Sequence, residues 1–120
     1  MISSDEEEQI YDMACSYLGG TDEVLLIVEY GGDGVNPEDA YKLVAEKLFE
    51  RAKKKYKEFV HLATDKRNDA CEIWTGQSRI VVTNNKEYLA TMKYVDLAFY
   101  FGSNIRHPGD EPVECDNLPL

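Results

Sequence analysis

The sequence predicts an α/β or α+β fold, one small sheet of about four strands with helices packed on it, in the order α-β-α-β-β-α-β. Three observations carry this. A continuous apolar run, VLLIVEY at 24–30, reads as a strand buried on both faces. A long helical periodicity follows over about 37–61. Two short β-rich runs joined by a GQS turn, and then an alternating aromatic run at 94–101, supply the other strands. At 120 residues the chain has the length of one domain. A domain of that size buries about two-thirds of the surface its unfolded chain exposes, so neither disulfide nor metal is required for stability. We expect a single globular domain over 1–106 and a tail over 107–120.

Each element has its own local reason. Ser3 and Ser4 precede Glu6 and Glu7 by three residues, a capping-box spacing, and acids fill the first turn where the helix dipole favours them. Ile10, Met13, Ala14 and Tyr17 fall on one helical face, and Gly19-Gly20 ends the helix, predicted over about 5–18. After the first strand, GGDG is a loop. Asn36 is placed to cap the next helix, with Pro37 at its first position. The buried stripe of that helix is Tyr41, Val44, Ala45, Leu48, Ala52, Tyr56, Phe59 and Val60. ATDKRND then reads as a polar connection, CEIWT and RIVVTN as a hairpin, and Asn84 or Asn85 as the cap of a short helix reaching Met92. In the last strand Phe99 and Phe101 face the core, while Asp96 and Tyr100 face a wetter side. The tail, PGDEPVECDNLPL, holds three prolines and four acids and is expected to be extended or partly mobile.

Charge is both large and segregated. The formal net charge is −10. Residues 1–41 carry eleven acids and no Lys or Arg, whereas 42–67 hold nine of the thirteen bases. An acidic field repels phosphate backbones and attracts basic surfaces, although net charge alone also serves solubility. The three cysteines, Cys15, Cys71 and Cys115, have no metal-ligand or disulfide-framework spacing, which points to a reducing, cytoplasmic setting (host cytoplasm if the chain is viral). The start MISSDEEEQ lacks a basic n-region and an apolar h-region, and no apolar run reaches the length of a membrane span.

Motifs for chemistry are sparse. GGDG at 31–34 is not a phosphate loop: it has no following Lys and Ser/Thr, and Asp33 would repel a phosphate. The only histidines, His61 and His107, have no motif partner, and His61 is read as a helix-end cation. No cofactor, metal ligand set or catalytic group is expected. The run RAKKKYK (Arg51, Lys53, Lys54, Lys55, Lys57) forms a basic patch that would suit nucleic acid in isolation. Glu46, Glu50 and Glu58 lie within helical reach and neutralise part of it, and the acidic field opposes direct nucleic-acid binding. The patch reads as a solvated helix face, or as an intramolecular or homo-oligomeric dock for the acidic N-terminal segment. Asp96 either lies on the wetter face or pairs with a base such as Arg79.

From residue 24 onward, VLLIVEY, the long helix, EIWTGQSRIVVTNN and VDLAFYFG resemble in order part of the ATPase core of phage terminase large subunits. That family follows its strand and helix with a hairpin and then a strand ending in magnesium-binding and catalytic acids. The resemblance covers residues 24–103. It breaks at the chemistry: the lysine loop is absent, and Tyr100 and Phe101 stand where the acids would be. What it implies is a catalytically inactive fragment that binds nucleotide or another motor component.

Composition points instead to a small acidic, non-catalytic protein-binding module. Its expected partner is a basic protein surface of the kind that normally binds nucleic acid, in the manner of phage or bacterial inhibitor and immunity proteins. The acids Asp5, Glu6, Glu7, Glu8 and Asp12 would meet that surface, with Trp74 and Tyr100 as anchors.

Overall fold

The computed structural model of the chain describes residues 4–28, 36, 39–92, 94–101 and 113–114. Helix α1 (Ser4–Ser16) runs into a 3-10 turn, Tyr17–Gly19. Strand β1 (Glu23–Val28) and helix α2 (Ala40–Tyr56) follow, and α2 closes in a second 3-10 turn, Lys57–Phe59. Then come β2 (His61–Asp65), β3 (Ala70–Trp74), β4 (Arg79–Thr83), α3 (Lys86–Ala90), β5 (Tyr94–Val95), β6 (Leu97–Phe101) and β7 (Val113–Glu114).

The main sheet is mixed and has five strands in the order β2-β3-β4-β1-β6. Strand β1 lies between β4 and β6 and is parallel to both. Strands β2, β3 and β4 form an antiparallel meander. A separate two-stranded pair joins β5 to β7. The fold is thus the predicted one, a single sheet with helices packed on it, with five strands where about four were expected.

Alternation sorts the strand residues onto two faces. Val24, Leu26 and Val28 of β1 join Cys71, Ile73, Ile80, Val82, Phe99 and Phe101 under α1 and α2. Leu25 and Ile27 join Val81, Ala98, Tyr100, Val95 and Leu89 on the side of α3. This explains the unbroken apolar run in β1: both of its faces are covered. Helix α2 buries Tyr41, Val44, Ala45, Leu48 and Ala52 against the sheet, each at most 1% exposed. A fully buried side chain the size of Val44 or Leu48 contributes about 1.5–3 kcal/mol, the two alanines less. Helix α3 starts where Asn85 Oδ1 accepts the Glu87 N–H at 3.0 Å, the cap expected there.

Four details depart from the sequence reading. The long helix stops at Tyr56, because Lys57 takes φ 54° and ψ −123° and turns the chain away. Phe59 therefore leaves the buried stripe and is 70% exposed. His61 is not a helix-end cation: it opens β2, an edge strand that runs from the predicted helix end into the start of what read as a polar connection. Finally, the 94–101 strand bends at Asp96, so Val95 joins the α3-side core while Leu97 packs against the helix side. Tyr100 is on no wet face: it is 3% exposed, because α3 and β5 roof that side of β6. The GGDG loop, Ser3, Pro37, Cys115, His107 and the tail other than Val113–Glu114 lie outside the described residues.

Candidate functional site

Sheet register builds the site. His61 pairs with Trp74, Trp74 with Arg79, and Arg79 with Glu23, so one row of residues crosses four strands. Glu72 shares the face, two residues before Trp74 on β3. Arg79 Nη1 donates to Glu72 Oε1 at 2.9 Å, and Nη2 donates to Glu23 Oε1 at 2.7 Å. One guanidinium thus holds two carboxylates taken from β1 and β3. The three side chains are about one-third to one-half exposed, so these pairs orient the groups more than they stabilise the fold.

An open cleft of about 440 Å³ lies beside this triad, lined by Glu23, Glu72, Trp74, Gln77, Ser78 and Arg79, among others. Its loop is closed by the Thr75 N–H donating to Ser78 O at 3.0 Å, and it is fastened to the 3-10 turn after α1 by Thr75 Oγ1 donating to Leu18 O at 2.8 Å. Ser78 Oγ and Arg79 Nε are buried at its base and make no hydrogen bond among the described residues. Trp74 forms one wall, half-buried, with the His61 ring at 5.4 Å between centroids and tilted by 33°. Tyr88 of α3 donates to Glu72 Oε1 at 3.4 Å; burial pushes its phenol pKa up, and the Glu72 charge adds to that. The triad carries one net negative charge beside an indole face. Such a cleft attracts a cation and disfavours an anion.

Asp96 sits at the end of the same row. Its Oδ2 accepts the Glu23 N–H at 2.7 Å, and its own N–H donates to Glu23 O at 2.9 Å. It therefore fastens the start of β1 to the start of β6, and Arg79, the base suggested for it, pairs with Glu23 and Glu72 instead.

Tyr100, expected as an anchor, lies on the cleft's side of the sheet but is buried under α3 and offers no contact surface. The predicted acids and bases lie on the opposite side of the sheet. In α1, Glu8 and Asp12 both pair with Arg51 of α2, Asp12 Oδ1 accepting from Nη1 at 2.6 Å. Arg51 also lies over the Tyr11 ring at 5.6 Å. A groove of about 250 Å³ between the helices is lined by Glu7, Glu8, Tyr11, Lys47, Glu50, Arg51 and Lys54, three acids against three bases. The acidic helix and the start of the basic run are thus partners within the chain. Asp5 and Glu6 are exposed. Lys53 lies over Phe49 at 5.3 Å and Lys55 over Tyr56 at 5.4 Å, spreading the remaining bases over the outer face of α2. Lys57 forms the C-cap, its N–H donating to Lys53 O.

Cys15 and Cys71 are buried free thiols. Burial, then the Asp12 charge, pushes the Cys15 pKa up to about 11, and burial likewise raises that of Cys71. Among the described residues no group of three or more His, Cys, Asp or Glu side chains is set to hold a metal ion, and no helix is long and apolar enough to cross a membrane.

Sequence reasoning found Trp74 but missed Glu23, Glu72 and Arg79 as a set. The signal was present in part: period-2 alternation places Glu72 and Trp74 on one face of β3 and Arg79 opposite in the hairpin. Glu23, 49 residues before Glu72, joins only through the β1–β4 pairing. No family model, curated protein or solved structure matches the chain.

Proposed function

We propose that this protein is a small acidic, non-catalytic protein-binding module that engages a basic surface of a partner, of the kind that otherwise contacts nucleic acid, within a reducing cytoplasm. The observation that carries the reading is the cleft in which Arg79 orients Glu23 and Glu72 beside the half-buried Trp74. A lysine or arginine of the partner would enter it, with the carboxylates as counter-charge and the indole as a cation–π face. The net charge of −10 steers such a partner toward the molecule. Buried thiols with raised pKa values support a non-catalytic reading, since a protonated, inaccessible thiol is a poor nucleophile. With Glu8 and Asp12 held by Arg51, α1 contributes its field and its exposed acids, Asp5 and Glu6, more than a continuous contact surface.

The test is calorimetry with an oligo-arginine peptide at low and high salt, using charge changes at an exposed lining residue. Gln77→Lys is expected to weaken binding roughly two- to fivefold and Gln77→Glu to strengthen it similarly. Glu46→Gln, the same change in net charge on the far face of α2, is expected to do much less. Equal effects at Gln77 and Glu46, or binding that does not weaken with salt, would count against the cleft.

A further inference from the structure

We propose that β2 is the interface of a two-fold homodimer in which the sheets of two copies join edge to edge. Strand β2 is hydrogen-bonded to β3 alone, and no other described strand pairs with its outer side. His61, Ala63, Thr64 and Asp65 are exposed, and Leu62 is half-buried. Edges that must stay single are guarded by charged side chains, above all lysine, by proline, by a bulge or by being very short. HLATD contains no lysine or proline, and its five residues pair with β3 in unbroken register. Phe59, the one large hydrophobic exposed among the described residues, stands two positions before the strand.

The sequence of the strand selects the occupant. Antiparallel pairing of β2 with a second β2, centred on Ala63, sets Leu62 opposite Thr64 and His61 opposite Asp65 of the second copy, each contact occurring twice. The basic and the acidic residue stand at mirror positions about the centre, so this edge is complementary to itself. The Asp65 oxygens already accept from Asn68, at 3.2 Å from its N–H and 2.7 Å from its Nδ2, which fixes the carboxylate while leaving lone pairs for a second donor. The two-fold axis stands perpendicular to the joined sheets. Both Trp74 clefts therefore open on the same side of one ten-stranded sheet.

Sedimentation equilibrium on the full chain gives the first test: a concentration-dependent dimer is expected. Ala63→Cys in a Cys115→Ser background reads the register, because residues directly opposite in an antiparallel pair have Cα atoms about 4.5–5.5 Å apart, within disulfide reach. Mild oxidation is expected to link Ala63→Cys copies readily and Leu62→Cys copies poorly. His61→Lys is expected to tighten the dimer and His61→Asp to loosen it, each by about two- to thirty-fold over the two contacts. His61 and Ala63 are exposed and Leu62 is half-buried, and circular dichroism verifies that each variant folds. A monomer at every concentration would overturn the proposal. So would equal cross-linking at 62 and 63, or identical dissociation constants for the two His61 variants.

Discussion

Tyr100 and Phe101 are neighbours in β6 and belong to different cores, Tyr100 under α3 and Phe101 against Tyr11 of α1 at 5.4 Å between rings. Single positions of this kind decide how the molecule responds to substitution. Phe99 is 1% exposed and packs beside Tyr17, so Phe99→Ala is expected to cost about 3–5 kcal/mol in chemical denaturation. Phe59→Ser, at a residue read from sequence as core, is expected to stay within about 0.5 kcal/mol. Asp65 gives a pH test. The Asn68 side-chain hydrogen bond holds its folded pKa below the ordinary carboxylate value, so its contribution is present at neutral pH and is lost as pH falls through the depressed folded value. Asn68→Ala is expected to move the Asp65 titration, followed by NMR, back up toward the ordinary carboxylate range. A titration that stays put would show that the bond does not set it.

Among the elements, those with covered faces were legible and those without were not. Helices α1 and α2 follow from helical periodicity and β1 from its continuous apolar run, because covered faces impose an apolar pattern on the sequence, while α3 follows from its Asn cap and the β3–β4 hairpin from its GQS turn. Strand β2 has one neighbour and little covering, so nothing in His61–Asp65 had to alternate, and the strand passed for a connection. The end of α2 was misplaced for a related reason: Lys57 is an ordinary helix former, yet it adopts a backbone conformation that glycine adopts at far lower cost. Lys57→Gly is accordingly expected to raise stability by about 1 kcal/mol, measured by thermal or urea unfolding. Lower stability in that variant would mean the turn is not strained. The cleft was half legible. Local pairing of β3 and β4 was readable, whereas the long-range approach of Glu23 and Asp96 depends on parallel pairings that no local pattern encodes.

At the scale of the whole molecule, charge is arranged in two ways. Between α1 and α2 acids and bases neutralise one another, and across the sheet the cleft keeps a net negative charge beside an indole. Magnesium–ATP is expected to give no binding heat, since the proposed reading offers it a negative cleft and no lysine loop; measurable saturable heat would favour the nucleotide-binding alternative. The central claim is that this cleft receives a cationic side chain. Trp74 is the only tryptophan in the chain, so its fluorescence reports the cleft directly. Titration with an oligo-arginine peptide is predicted to give a saturable change in Trp74 emission that weakens with salt and is reduced in Gln77→Lys. An unchanged emission, or an equal change with an oligo-glutamate peptide, would contradict the account.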